Sequence, residues 1–218
     1  MASTSQPAEP YAYQPLEKGH IRVLGLASTD DNISGSLRSI ALKSLFKRQK
    51  YYALSYTWGS SLTVHPFDCD GKNLPIRTKL RDALPMLRGL DKPLWIDAVC
   101  INQADDSEKV WQIQLMSTIY KSASKVLVWL GQATPDTDYT LLHHTELLVV
   151  LKKLKHPIES QSLDTRFLRG IGSLLTRGWW SRLWTLQEAA LASSMVFLCG
   201  TTKSHGQICT PSSAMLCV

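Results

Sequence analysis

The chain has 218 residues, which is enough for one domain with a substantial core. Its hydrophobic content of 44%, its charged content of 19% and its net charge of +6 are ordinary for a globular protein. No apolar run is long enough to cross a bilayer, so a membrane-spanning class is excluded.

The N-terminal sequence MASTSQPAEPYAYQP lacks the apolar region of a signal peptide. The five cysteines form neither a C-x-x-C pair nor a zinc-binding pattern, so we predict no metal site. Together these features predict a cytoplasmic protein whose cysteines are free thiols.

The first third of the chain predicts a tail followed by strands. Residues 1–18 are polar and contain prolines, which is typical of a flexible tail. Apolar runs predict strands over residues 21–26 and 39–46, and the aromatic segment 51–58 predicts another that ends at a glycine turn.

A hairpin and a helix are expected next. The segment Phe67–Ile76 contains Asp70-Gly71, a dipeptide favoured in tight hairpin turns. Residues 78–90 have a helical pattern that Pro85 must kink or shorten.

A strand–helix–strand unit occupies the middle of the chain. Residues 93–101 are almost continuously apolar, which predicts a strand buried on both faces. Asp105 and Ser107 are the candidate helix caps, with Glu108 at capping-box distance from Asp105, and residues 125–130 predict the second strand. Parallel neighbours need such a crossover, so the class is α/β.

Beyond this unit the pattern predicts helices over residues 140–155, 167–175 and 179–192. A short strand over 195–199 follows, and no element is predicted from residue 200 onward.

Three segments have a more specific pattern than these elements. They are YYALSYTWG (residues 51–59), the run from Leu94 to Gly131, and RGWWSRLWTLQEAALA with the strand that follows it (residues 177–200). In this order they resemble the signature blocks of the fungal heterokaryon incompatibility (HET) domain family. The resemblance implies a HET domain over residues 19–200, followed by an irregular tail over 201–218.

The HET resemblance implies a role in non-self recognition and regulated cell death, as a signalling module that self-associates or binds protein partners. HET domains are distantly similar to Toll/interleukin-1 receptor (TIR) domains, which implies a TIR-like, flavodoxin-like fold. Such a fold has three layers, with a mainly parallel central sheet flanked by helices. Several TIR proteins cleave NAD with a glutamate on a helix after a tryptophan-containing loop. Glu188 is the matching carboxylate, so the alternative function is a TIR-like hydrolase with NAD as its substrate; no cofactor is otherwise predicted.

In that alternative, Glu188 stabilises the positive charge that develops on the ribose as the nicotinamide leaves. Trp180 or Trp184 stacks on a ring of the dinucleotide, and Arg177 or Arg182 pairs with its pyrophosphate. A purely structural role is the competing interpretation. Thr185-x-x-Glu188 has capping-box spacing, and Glu188 is also within helical reach of Arg182.

Asp97 interrupts the apolar run, and a buried carboxylate needs polar partners or a cleft. Asn102 and Gln103 follow at the predicted carboxyl end of the strand, where α/β folds place ligands. One interpretation is a polar site formed by these residues with Ser55 and Trp58. The other, which we favour, is a buried hydrogen-bond network that fixes the loop.

A basic stretch between Arg38 and Lys50 has no acidic neighbour and suits a phosphate or an anionic lipid. It lacks the aromatic residues that alternate with basic ones in nucleic-acid binders, so a solvated connection is favoured over a nucleic-acid partner.

Overall fold

A computed structural model describes residues 8–28, 32–42, 51–143, 164–200 and 208–210. These residues form an α/β domain around one mixed sheet, whose nine described strands lie in the order β5-β4-β2-β1-β6-β3-β7-β8-β9. In chain order the strands are β1 (His20–Ser28), β2 (Ile33–Ala41), β3 (Tyr52–Tyr56), β4 (Val64–Cys69), β5 (Lys72–Arg77), β6 (Leu94–Trp95), β7 (Lys125–Trp129), β8 (Met195–Leu198) and β9 (Ile208–Thr210).

The described α-helices lie between and after these strands. They are α1 (Thr78–Ala83), α2 (Asp97–Cys100), α3 (Asp106–Ser122), α4 (Pro135–Leu142), α5 (Thr165–Leu175) and α6 (Leu183–Leu191). Helix α3 packs against α6, and α4 packs against α5. Within the described ranges, no helix is both long enough and apolar enough to cross a membrane.

The prediction of a mainly parallel sheet is wrong. The adjacent strands β6, β3, β7 and β8 are parallel, but β1–β2, β4–β5 and β8–β9 pair antiparallel because short connections join them in sequence. Strand β9 also lies in the region where the sequence predicted no element. The α/β class is confirmed, whereas the TIR-like, flavodoxin-like arrangement and its three layers remain predictions.

Local turn chemistry follows the sequence closely. Asp70 and Gly71 have positive φ angles of 55° and 74° between β4 and β5, as a two-residue hairpin turn requires. Helix α1 ends at Ala83 and is followed by a 3-10 turn (Leu84–Leu87) with Pro85 in its first turn. The predicted hairpin and the proline-shortened helix are therefore confirmed.

Two predicted elements have different bounds in the structure. Strand β6 contains only Leu94–Trp95, and Asp97–Cys100 of the predicted strand form the helical turn α2. An apolar run indicates that a segment is buried, but it does not show whether the segment forms a strand or a helical turn. The predicted helix over 179–192 begins only at Leu183, because residues 179–181 form a turn ahead of it.

The predicted helix over 140–155 and strand over 39–46 fall partly on α4 and β2, which end at Leu142 and Ala41. Their remaining parts, and the basic stretch beyond residue 42, lie outside the described residues.

Residues 8–18, assigned to the flexible tail, contact the domain. The Tyr11 amide donates to the Asn73 carbonyl at 2.8 Å, and the Tyr13 hydroxyl donates to the Val99 carbonyl at 2.8 Å. The segment is therefore attached to β5 and α2.

A buried ion pair joins β1 to α3. Arg22 and Glu108 form two hydrogen bonds, of 2.5 and 3.0 Å, and both side chains are almost fully buried. Asp105 caps α3 by accepting from the Glu108 amide at 3.0 Å, as predicted. The Glu108 carboxylate bonds to Arg22 and to the Asn102 amide, so these contacts fix the loop between α2 and α3.

Candidate functional site

Two of the predicted site residues, Trp58 and Asp97, are brought together by two neighbouring parallel strands. Trp58 follows β3 and Asp97 follows β6, so both lie at the same edge of the sheet. The indole nitrogen of Trp58 donates a hydrogen bond of 3.0 Å to Oδ2 of Asp97. This edge, outside the carboxyl ends of parallel strands, is where open α/β sheets bind ligands.

A cleft of about 310 Å³ opens at this edge between α2, α3 and α6. That volume lies at the lower end of the range of small-molecule sites. Its lining combines two carboxylates, two cations, an amide and apolar or aromatic side chains. The lining residues are Trp58, Asp97, Ile101, Gln103, Lys109, Ile113, Met116, Arg182, Trp184 and Glu188.

Asp97 is the first carboxylate of the cleft and is half-buried at the first position of α2. Burial raises its pKa to about 6, against the opposing effects of the Ala98 amide, the Trp58 indole and the charge of Arg182. The Ala98 amide donates to Oδ1 at 2.7 Å. Asp97 therefore titrates only about one pH unit below neutrality.

Glu188 is the second carboxylate and only 8% of it is exposed. The Ser55 hydroxyl donates to its Oε2, and the Trp179 indole nitrogen donates to the Ser55 hydroxyl at 2.7 Å. Burial, followed by the charge of Asp97, raises its pKa to about 7, although hydrogen bonds from Ser55 and Tyr120 and the charge of Arg182 oppose this. Glu188 therefore titrates close to neutral pH.

The capping-box interpretation of Glu188 is wrong. Helix α6 begins at Leu183 with Arg182 at the N-cap, and no side chain caps it. Thr185 lies inside the helix, where its hydroxyl donates to the carbonyls of Trp179 and Arg182 at 2.6 and 2.7 Å. Glu188 is thus directed toward Ser55 and the cleft.

Polar and aromatic groups complete the walls of the cleft. Arg182 donates to the Tyr56 carbonyl at 3.3 Å, and Gln103 donates to the Asp97 carbonyl at 3.0 Å. Trp184 remains 55% exposed at the rim. The cleft therefore has an aromatic face beside cations and carboxylates.

The structure places four of the predicted site residues away from the lining of this cleft. Asn102 accepts from the Ala104 amide at 3.1 Å within its own loop. The Arg177 guanidinium donates to the Ser173 carbonyl at 3.2 Å, and Trp180 stacks on Phe197. Ser55 is 1% exposed and contacts the site only from beneath, through Glu188.

Sequence reasoning missed Trp179, Lys109, Ile113 and Met116 as parts of this region. Ile113 and Met116 have apolar side chains at helical spacing on α3, and this periodicity does not separate a core face from a cleft wall. Trp179 was passed over for its neighbour Trp180, although only Trp179 is fully buried. Within the described residues, no group of three or more His, Cys, Asp or Glu side chains is placed to hold a metal ion.

The family model described as Heterokaryon incompatibility protein (HET) matches residues 51–188. Over 226 residues the chain is 33% identical to "Heterokaryon incompatibility protein 6, OR allele" of Neurospora crassa, an alignment that covers 83% of this chain. The chain spans about a third of the length of that relative, since 33% of it is covered. No solved structure matches the chain. The family match includes all of the first two signature segments and the third as far as Glu188, and the chain belongs to the heterokaryon incompatibility (HET) family.

Proposed function

We propose that this domain acts in the cytoplasm in fungal non-self recognition and regulated cell death, as a self-associating signalling module. Its membership of the HET family and the name of its Neurospora relative support the biological role. The chain spans about a third of the length of that relative. What the whole relative does is therefore carried to this chain only as part of the proposal.

The observation that carries self-association is the exposure of apolar side chains on α3 and α6, the two helices that pack together beside the cleft. Val110 on α3 is 60% exposed and Leu183 on α6 is 74% exposed. On the same helices, Ile113 and Trp184 line the cleft and are 49% and 55% exposed. Exposed apolar groups on neighbouring elements are typical of contact surfaces between proteins.

Sedimentation analysis of the purified domain over a range of concentrations tests this proposal. The double variant Val110→Gln/Leu183→Gln is expected to remain folded but to associate more weakly than the parent. Leu168→Gln is the matched control, because Leu168 is 47% exposed on α5, outside the cleft. A parent domain that stays monomeric at every concentration would refute self-association.

A second candidate function is hydrolysis of NAD in the cleft. The observation that favours it is the position of Glu188, a buried carboxylate that lines the cleft together with Arg182 and Trp184. Breaking the bond between the ribose and nicotinamide leaves positive charge on the ribose, which an ionised Glu188 would stabilise. Water then adds to the ribose and releases a proton, giving nicotinamide and ADP-ribose.

Nicotinamide release from NAD by the purified domain tests this second function. The parent is expected to release nicotinamide at a rate that rises through the pKa of Glu188, and Glu188→Gln is expected to be inactive. An equal rate in the parent and in Glu188→Gln would remove Glu188 from the chemistry.

A further inference from the structure

A chain of hydrogen bonds connects three buried side chains beneath the cleft. The Trp179 indole nitrogen donates to the Ser55 hydroxyl at 2.7 Å, and that hydroxyl donates to Oε2 of Glu188. The three residues come from strand β3, from the turn ahead of α6, and from α6 itself. Trp179, Ser55 and Glu188 are 2%, 1% and 8% exposed, so little water is available to replace any of these bonds.

The chemistry of the three groups fixes the direction of donation along this series of hydrogen bonds. An indole N–H is only a donor, so Trp179 must use a lone pair of the Ser55 oxygen. The serine hydroxyl has a single hydrogen, which is then directed to the Glu188 carboxylate. A donor fixed in this way favours the ionised carboxylate over the protonated one.

Trp179 is itself held in place. Its backbone carbonyl accepts a hydrogen bond of 2.6 Å from the Thr185 hydroxyl, which lies one turn before Glu188 on the same helix. Its ring meets the ring of Phe197 on β8 edge-on, with 5.8 Å between centroids. The Trp179 indole, which is the first donor in this series of hydrogen bonds, therefore has a fixed position relative to α6.

Of the other groups around Glu188, some raise its pKa and others lower it. Asp97 on α2 disfavours its ionised form by charge, as does burial, whereas Arg182 ahead of α6 and the Tyr120 hydroxyl on α3 favour it. Lys109 on α3 lines the same cleft, and Tyr56 at the end of β3 holds Arg182 through its carbonyl. Ser55 is thus one of a small set of groups that oppose protonation of Glu188.

We propose that Ser55 and Trp179 are positioning residues for Glu188, which fix one carboxylate oxygen from below so that the group is presented, ionised, to the cleft. This inference deepens the second candidate function and rests on Glu188 being its working carboxylate. Ser55 is accordingly not a ligand contact.

A measurement on the unaltered protein tests the connection directly. In nuclear magnetic resonance titrations, the ¹⁵N–¹H resonance of the Trp179 indole is expected to move with pH and to share its midpoint with the Glu188 side-chain carboxyl carbon. Trp179→Phe and Glu188→Gln assign the two signals. An indole resonance that stays still while the carboxyl carbon titrates would overturn the proposal.

Substitutions at Ser55 provide the second test. Ser55→Ala is expected to raise the pKa of Glu188 by about one to two pH units, since a charge-assisted hydrogen bond is lost. Ser55→Thr keeps the hydroxyl and is expected to restore the parent pKa. An unchanged pKa in folded Ser55→Ala would exclude the positioning role, and the titration of the unaltered protein decides the matter if that variant does not fold.

Experiments can refute the positioning role of Ser55 and Trp179 and the cleavage of NAD independently of each other. Shared titration of Trp179 and Glu188 without nicotinamide release would support the positioning role and refute NAD cleavage. Nicotinamide release that depends on Glu188 and not on Ser55 would refute the positioning role alone.

Discussion

The indole nitrogen of Trp58 donates to Oδ2 of Asp97 at 3.0 Å, which links the ends of two neighbouring parallel strands. Replacing Trp58 with Phe removes this donor and is expected to raise the pKa of Asp97 above its value of about 6, because the bond favours the ionised form. The titration of the Asp97 side-chain carboxyl carbon by nuclear magnetic resonance measures the change. Trp111→Phe, at a half-buried tryptophan of α3 outside the cleft, serves as the control. A pKa that stays at its parent value or falls in Trp58→Phe would contradict this account.

Glu188→Gln is expected to stabilise the domain at pH 8 and to change its stability little at pH 4. Because folding raises the pKa of Glu188 from 4.5 to about 7, the folded state holds a proton that the unfolded state releases. The resulting stabilisation is complete below pH 4.5 and is lost as pH rises through about 7. The free energy of unfolding should thus differ by about 3 kcal/mol between the two proteins at pH 8.

Urea unfolding of the parent and of Glu188→Gln at pH 4, 6 and 8 measures this difference. The gain in stability should grow steadily between pH 4.5 and 7. A Gln variant that is less stable than the parent at pH 8 would show that the charged form of Glu188 is favoured by folding, contrary to the structure.

The ion pair of Arg22 and Glu108 predicts an asymmetric response to substitution. Glu108→Ala leaves a buried, uncompensated guanidinium and is expected to lower the free energy of unfolding by about 3 to 5 kcal/mol. The double variant Arg22→Met/Glu108→Leu removes both charges and should lose less. Chemical denaturation of the single and double variants provides the comparison, and a double variant that loses as much as Glu108→Ala would contradict the cost assigned to the uncompensated guanidinium.

Gly170 and Gly172, both on α5, are expected to respond in opposite ways to alanine. A Cβ at Gly170 would overlap the Thr140 hydroxyl and the Asp136 carbonyl on α4, whereas one at Gly172 meets no atom within 4 Å. Gly170→Ala should therefore destabilise the domain by about 1 to 3 kcal/mol, as overpacking does.

Gly172→Ala is the matched control and should stabilise the domain by up to about 1 kcal/mol, because alanine favours the helix. Thermal unfolding compares the two variants with the parent. A Gly170→Ala variant as stable as the parent would show that α4 and α5 do not pack this closely.

Local chemistry in the sequence predicted several features that the structure shows. The Asp70-Gly71 turn, the effect of Pro85 and the Asp105 cap each depend on a few adjacent residues, and all three are present. The strand over 93–101 was predicted wrongly because the α2 turn is as buried as a strand would be.

The site was predictable only in part, for a similar reason. Asp97 was singled out because a charge within an apolar run needs a partner, and Glu188 through a family resemblance. Trp179 acts on Glu188 only through Ser55, which is 124 residues away from Trp179 in the chain, and Tyr120 belongs to a different helix from Glu188. Which side of a helix faces a cleft depends on tertiary packing, and this packing cannot be inferred from the pattern of a single sequence.

Survival of fungal compartments after induced expression of this chain tests the central claim most directly. The parent is expected to kill the compartments, and Val110→Gln/Leu183→Gln at matched abundance is expected to spare them, with Leu168→Gln as lethal as the parent. Killing by the double variant as efficient as that by the parent would contradict self-association through the exposed apolar side chains of α3 and α6. Healthy compartments at confirmed parent abundance would contradict the proposal that this domain triggers death.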